Sequence, residues 1–353
     1  MATVDGAPVP QIAGFTPVRL GDVESELAAR ADKADAEGKA ASRACALNLL
    51  VYVEDAVETQ PVSDLIEAIA GAHPMRVVQM MMDRRTPETD VRAWIRLDCG
   101  DNGAARVLCS EHIVLESNPD SAARLVSAAN ALLGADLPVA LWWRGGSPFL
   151  SRLFKGLVPL ADKIVVDSKR FGDGPAALDT LHRLNGLRDG RAALADMNWH
   201  RIATWRATLS ACFDDPAVLA LLPELDRSEI DFSLGKEGAA SAPSARSLLL
   251  AGWIVSRLPT IAGHGDIAGK QSPWATRGSI VGLTLRASAS KAGVSVTWEN
   301  AKEGIRATAF DRDGSPLRRW QFSPDPEGEA DLLYRCVDSI AGDRLLDAAL
   351  EVG

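Results

Sequence analysis

Tyrosine is nearly missing from this 353-residue chain, which has two of them against nine tryptophans and eight phenylalanines. Its aromatic contact area is therefore mostly tryptophan. Long hydrophobic runs are lacking too: Leu248 to Val255 falls far short of the roughly 20 residues that span a bilayer, so no membrane partner is expected. Positive charge is in deficit, with 38 Lys and Arg against 47 Asp and Glu and a net charge of −9. Such a surface disfavours nucleic acid and anionic lipid, and no basic stripe with interleaved aromatics offsets it, so no nucleic-acid partner is expected. Met1 to Gly14 has neither the positive start nor the apolar centre of a secretory signal, and the expected location is the cytoplasm. The cysteines (Cys45, Cys99, Cys109, Cys212, Cys336) are odd in number and widely spaced, which suits reduced thiols better than a disulfide framework.

Signatures of chemistry are also missing. Gly269-Lys270 lies in a Gly-rich stretch, but a phosphate-binding loop needs Ser or Thr where Gln271 stands and Gly where His264 stands. No strand is followed by the three-glycine dinucleotide fingerprint, so no cofactor is expected. Cys109 and His112 are three apart on a strand, which sends them to opposite faces and excludes a shared zinc, and no metal is expected. A triad of Ser168, His73 and Asp167 can be drawn, but the glycines of a nucleophile elbow are missing. No catalytic residue is assigned. His73-Pro74 before Arg76 can be read as an anion-binding turn or as a plain turn, and Asp167-Ser168 as a loop site or a capping pair.

The apolar patterning predicts an α/β (α+β) chain in two domains: a leader and N-terminal helix over 1–40, an α/β domain over 41–190, and an α+β domain over 191–353. In the first domain, strands are predicted at Cys45 to Val53 and Met75 to Met82, around a helix from Pro61 to Ala72 capped by Ser63. A hairpin of Val91 to Leu97 and Ala105 to Leu115 turns at Asp101-Asn102-Gly103. Helix then alternates with strand: Pro119 to Leu133, Pro138 to Trp143, Phe149 to Leu160 and Lys163 to Asp167, which predicts parallel βαβ units in a mixed sheet. Such a sheet sets the loops after Trp143 and after Val166 at one rim. In the second domain a helix runs from Ser244 to Leu258, Pro259 to Pro273 reads as loop, and four segments between Ser279 and Phe322 form an antiparallel meander packed with helices. A last helix is predicted at Glu329 to Ile340.

Tryptophan stands beside arginine twice, in Trp142-Trp143-Arg144 and in Asn198-Trp199-His200-Arg201 leading to Trp205-Arg206. These are the residues most enriched at binding hot spots, which points to a partner. The alternative is core packing, because Trp199, Ile202, Trp205 and Leu209 recur at helical spacing on one face while Arg201 and Arg206 fall off it.

The ordered segments Ala46-Leu47-Asn48-Leu49-Leu50-Val51, His73-Pro74-Met75-Arg76, Cys109-Ser110-Glu111-His112-Ile113, Asp136-Leu137-Pro138 through Trp142-Trp143-Arg144-Gly145, Asp162 to Ser168, Asp196-Met197-Asn198-Trp199, Trp205-Arg206 and Ala251-Gly252-Trp253 together resemble the glucose-6-phosphate dehydrogenase assembly protein family, OpcA. The resemblance covers roughly residues 15 to 260 and weakens through the meander. It implies a bacterial, non-catalytic protein that assembles or allosterically activates glucose-6-phosphate dehydrogenase and so supports NADPH supply through the oxidative pentose phosphate pathway. Met75 departs from the small hydroxyl residue the family carries after His-Pro, which weighs against anion binding there. On this reading Arg144, Arg201 and Arg206 are polar contacts to the dehydrogenase, and Trp142, Trp143, Trp199 and Trp205 are anchors or the framework that holds them. The alternative function is a sugar-phosphate or lactone-acting enzyme with its site at the rim of Arg144 and Ser168.

Overall fold

The fold is seen in a computed structural model, which describes residues 2–4, 7–36, 41–42, 45–87, 89–99, 107–187, 192–236, 242–298, 300, 304–323 and 328–352. The chain opens with β1 (Ala2–Val4), β2 (Ala7–Val9), β3 (Thr16–Val18), α1 (Val23–Ala34), β4 (Ala41–Ser42), β5 (Leu47–Val53), α2 (Thr59–Ala70), β6 (Met75–Met82), β7 (Val91–Cys99) and β8 (Val107–Ser117). There follow α3 (Ala122–Ala131), β9 (Val139–Arg144), α4 (Arg152–Leu157), β10 (Lys163–Val166), α5 (Gly174–Gly186), β11 (Ala193–Asp196), α6 (Met197–Arg201), α7 (Ala203–Cys212) and α8 (Pro216–Leu219). The last part holds β12 (Arg227–Ser233), α9 (Ala245–Arg257), β13 (Gly265–Lys270), β14 (Ile280–Arg286), β15 (Gly293–Trp298), β16 (Ile305–Phe310), β17 (Pro316–Phe322), α10 (Glu329–Val337) and α11 (Arg344–Val352). Among the described residues no helix is long and apolar enough to cross a membrane.

Two units form. The first is Met1–Val166, Asp189–Ala195 and Gly328–Ala341; the second is Asp167–Arg188, Asp196–Glu327 and Gly342–Gly353. In the first unit the sheet order is β11-β10-β9-β5-β6-β8-β7-β3, with β4 pairing β8 off this path. Strands β10, β9, β5, β6 and β8 pair in parallel, while β7 runs antiparallel to β8 and to β3. The apolar runs read from the sequence explain this, because all seven residues of β5 and all six of β9 are buried, as strands covered on both faces require. Taken in chain order, β5, β6, β8, β9, β10 and β11 lie in the order 3-2-1-4-5-6 of a doubly wound dinucleotide-type sheet, with its switch point between β5 and β9. The antiparallel β7 joins β6 to β8 in place of a crossover helix.

Several motif residues lock this sheet. Asn48, fully buried within β5, donates from Nδ2 to the carbonyl of Gly134 at 2.9 Å and accepts the Gly134 amide at 2.8 Å, so it ties the α3–β9 loop to the first strand. The Ser110 hydroxyl accepts the Met75 amide at 3.0 Å, and Glu111 pairs with Arg76 across β6 and β8.

Four local expectations need correction. The helix predicted at 61–72 begins at Thr59, and Ser63 is no cap: it is buried inside α2, its hydroxyl donating to the Thr59 carbonyl at 3.0 Å, while Asp55 caps the preceding turn. The helix predicted at 149–160 is only the six residues of α4 between two 3₁₀ turns, the second carrying Pro159, which has no amide to continue a helix. Cys109 is disulfide-bonded rather than a reduced thiol, and it stands directly across the hairpin from Cys99, a proximity that their sequence spacing concealed. Cys45, Cys212 and Cys336 keep their thiols. The Asp101-Asn102-Gly103 turn lies outside the described residues.

The second unit has a sheet of order β13-β12-β14-β15-β16-β17, in which β14 to β17 are the expected antiparallel meander. The fourth correction falls here, since the stretch 259–273 is not all loop: Gly265–Lys270 forms β13, parallel to β12. Its mostly exposed, glycine-rich edge gives no apolar alternation to read. Helix α9 is capped by Ser244, the residue at which the predicted helix began, and it packs against α11, which the sequence pattern did not predict. A Cβ on Gly252 would stand 2.3 Å from the Ala349 carbonyl oxygen, so the Ala-Gly-Trp motif lets these helices touch. Helix α10 packs on α2 and is part of the first unit.

Candidate functional site

The doubly wound sheet directs attention to the carboxyl ends of β5 and β9, where such folds bind ligands. After β5 the chain runs Glu54-Asp55-Ala56-Val57-Glu58, with no glycine. After β9 come Arg144, Gly145 and Gly146. The Gly146 amide donates to Glu54 Oε2 at 2.9 Å, and Arg144 Nε donates to Glu58 Oε2 at 3.0 Å. Arg144 also forms an ion pair with Glu329 at the start of α10, and its guanidinium carbon lies 5.2 Å from the Trp142 ring centroid. Tyr52 stacks on Trp143 at 4.1 Å, whose Nε1 donates to the Gly146 carbonyl at 2.9 Å. A Cβ on Gly145 would stand 3.0 Å from Tyr52 and 3.1 Å from the Trp143 nitrogen, which accounts for that glycine.

These residues do not fit a dinucleotide. A pyrophosphate needs glycine amides at the turn after the first strand so that the backbone can approach it. Here that turn presents three carboxylates, and the nearby cation is already paired with two of the four acids. With one cation against four acids the crevice carries excess negative charge, which repels a pyrophosphate.

His73 and Arg76 do not make an anion site either. Arg76 donates to Glu24 Oε1 at 2.6 Å, Glu24 Oε2 at 3.1 Å, Glu111 Oε2 at 2.6 Å and the Leu132 carbonyl at 3.0 Å. Two carboxylates already surround it. His73 lies 4.7 Å from the Tyr334 ring and 3.1 Å from Asp338 Oδ1.

In the second unit Asp167, Ser168, Asp196, Asn198 and Arg201 form one buried polar cluster. Arg201 grips Asp167 with two hydrogen bonds of 2.6 and 2.9 Å, and Lys169 lies 3.0 Å from the same carboxylate. Burial pushes the Asp167 carboxyl up, but Arg201 and Lys169 outweigh it and hold the group below its ordinary value. Asp196 has no such cation. Burial, and then the charge of Asp167, push it up to about 6 despite hydrogen bonds from the Ser168 amide and hydroxyl and the Asn198 amide. The Ser168 hydroxyl donates to Asp196 Oδ2 at 2.8 Å and receives Asn198 Nδ2 at 3.0 Å. It is fully buried, and no imidazole is among these partners. The His73 ring meets Asp338 and Tyr334 instead, so the triad drawn from the sequence does not form a hydrogen-bonded set.

All four tryptophans of the Trp-Arg clusters are packed inside: Trp142 and Trp199 are at most 1% exposed, Trp143 3% and Trp205 5%. They form framework, and rings so buried offer a partner almost no area. The break at Ile202 between α6 and α7 keeps Trp199, Ile202, Trp205 and Leu209 buried together, as their spacing predicted. Asp196 caps the start of α6, its side chain accepting the Asn198 amide. Trp199 Nε1 donates to Asp343 Oδ2 at 2.6 Å, and the Arg206 guanidinium lies 3.6 Å from the Trp199 ring centroid, where burial pulls its pKa down to about 10.

What sequence reasoning missed are exposed apolar side chains at the carboxyl rim of the first unit. Leu150, in the turn after β9, is 94% exposed, and Val57, in the turn after β5, is 76% exposed. The available signal was their place after two strands, at the loops that carry function in this architecture.

Fold and site define a two-unit α/β protein with a doubly wound sheet, a meander sheet and a switch-point crevice closed by ion pairs. Residues 66–183 match the family described as glucose-6-phosphate dehydrogenase subunit N-terminal domain, and residues 192–350 match its C-terminal domain. The chain belongs to the OpcA family. It is 30% identical over 196 residues to an OpcA of Nostoc punctiforme whose name places it in the OxPP cycle; the match covers 55% of this chain and 40% of that one. A Synechocystis relative of the same name is 29% identical over 200 residues, covering 56% and 39%. The chain thus spans about two-fifths of the curated relatives it matches. Among solved structures, a glucose-6-phosphate 1-dehydrogenase from Mycobacterium avium is similar over 88% of this chain and 90% of its own, with 12% identity and a TM-score of 0.49.

Proposed function

We propose that this protein is a cytoplasmic, non-catalytic partner of glucose-6-phosphate dehydrogenase that promotes its active state and thereby NADPH supply. Family membership supports the choice of partner. The observation that carries the non-catalytic reading is the turn after β5, where Glu54, Asp55 and Glu58 replace the glycines a nicotinamide cofactor needs. The buried Ser168, hydrogen-bonded to Asp196, disfavours the alternative of a sugar-phosphate or lactone-acting enzyme at the Arg144 and Ser168 rim.

A protein without chemistry of its own activates an enzyme only by binding its competent conformation or oligomer more tightly than the alternative. A tenfold shift requires about 1.4 kcal/mol. In this reading Arg144, Arg201 and Arg206 hold the framework with the four tryptophans, and contact falls to the exposed rim at Leu150 and Val57. The deciding experiment is a titration of the cognate dehydrogenase with this chain, read as activity and by size-exclusion of the mixture. The chain alone is expected to turn over no glucose 6-phosphate with NADP, and the mixture to co-elute with altered activity. Turnover by the chain alone, or neither co-elution nor altered activity, overturns the proposal. Leu150→Asp is expected to weaken the effect about tenfold while leaving the urea midpoint unchanged.

A further inference from the structure

A cavity of about 560 Å³, within the range of small-molecule sites, opens in the second unit. Among the described residues its charged lining is Lys169, Arg246 and Arg277 against one carboxylate, Asp173. That carboxylate is engaged as the cap of α5, accepting the Ala176 amide at 3.0 Å. The starts of α5 and α9 both line the cavity, and they meet because residue 174 is glycine: a Cβ there would stand 2.0 Å from the Pro243 carbonyl oxygen. Each helix is 13 residues long and directs the positive end of its dipole here.

Arg246 is held by uncharged groups. Its Nε donates to Asn198 Oδ1 at 3.0 Å and its NH1 to the Ser279 hydroxyl at 2.9 Å, so both partners are neutral. Asn198 Oδ1 also receives Arg201 at 2.8 Å, which puts two guanidinium groups on one uncharged oxygen. Arg201 has Asp167 as its counter-charge; among the described residues Arg246 has no ion pair. Burial, and then Arg201, pull the Arg246 pKa down to about 10 against the weaker pull of Asp167 and Asp196. A largely buried cation with only neutral partners is costly, and a counter-charge entering the cavity would offset that cost. Arg277 and the Thr276 hydroxyl line the same cavity, and Arg277 is exposed.

We propose that this cavity binds an organic phosphate, with the phosphoryl group against Arg246, Arg277 and the two helix starts. A phosphoryl group matches converging guanidinium forks and helix amides, and the volume leaves room for a short carbon skeleton. The proposal is independent of the partner enzyme, because it is tested on this chain alone. Calorimetric titrations with inorganic phosphate and glycerol 3-phosphate at constant ionic strength are expected to saturate at one site per chain, with glycerol giving no heat. Arg277→Glu is expected to weaken both at least tenfold at an unchanged unfolding midpoint, and Arg246→Gln to abolish them. Absence of a saturable heat with both phosphates, or equal affinity in wild type and Arg277→Glu, overturns it.

Discussion

His112 sits fully buried in β8, its Nε2 3.0 Å from Gln79 Oε1, and burial followed by the charge of Arg96 pushes its pKa down to about 3. Unfolded, the ring ionises near 6.5. Between pH 6.5 and about 3 the unfolded chain therefore binds a proton that the folded chain does not, and stability present above 6.5 is lost as pH falls, at up to about 1.4 kcal/mol per pH unit. Asp196 works in the opposite sense: its folded pKa of about 6 exceeds the ordinary 3.8, so the folded state gains from each drop in pH between those values. Urea denaturation followed from pH 7 to 4 is expected to show a flatter acid loss in His112→Asn and a steeper one in Asp196→Asn. Identical slopes in both variants would contradict these ionisation states. Arg144 makes a second residue-scale case, since its side chain is 7% exposed and joins Glu58 to Glu329. Arg144→Met is expected to cost about 3 kcal/mol by leaving these carboxylates facing one another, and the loss should shrink when Glu58→Gln and Glu329→Gln are added.

At the scale of elements, the motifs that carried the family resemblance prove to be joints between strands and helices. Asn48 clamps the loop before β9, Ser110 and Glu111 tie β8 to β6, and Gly252 sets the contact of α9 with α11. Gly252→Ala is expected to push α11 away and lower stability by about 1–3 kcal/mol, read as a fall in unfolding midpoint. The strands and most helices were legible because buried parallel strands and amphipathic helices impose unmistakable apolar periods. Besides α11, what escaped were β13, whose exposed glycines follow no period, and the break of the 149–160 segment, where Pro159 overrode a helical pattern. The tryptophans show the limit most sharply. Adjacency to arginine suggested contact, whereas the rings fill the interior and the arginines bind carboxylates or lie over the rings.

At the scale of the whole molecule, the chain after residue 327 serves both units. Helix α10 packs on α2 and brings Glu329 to Arg144, while the Lys163 ammonium donates to the Ser339 carbonyl. Helix α11 packs on α9, and Asp343 receives the Trp199 indole. A chain ending at residue 327 is therefore expected to lose native-state hydrogen-exchange protection in α2 of the first unit and α9 of the second. Loss confined to one unit would contradict this. Composition, apolar periods and ordered motifs sufficed to establish the α/β class, the parallel core strands, the meander and the OpcA family, because each is written in local spacing or in order along the chain. Only the tertiary structure decided which charges meet: Arg144 with Glu58 and Glu329, Arg76 with Glu24 and Glu111, and Arg246, among the described residues, with the neutral Asn198 and Ser279. Those pairings join residues up to 185 positions apart, and no local pattern encodes which distant carboxylate will neutralise a given cation or which cation will be left facing a cavity.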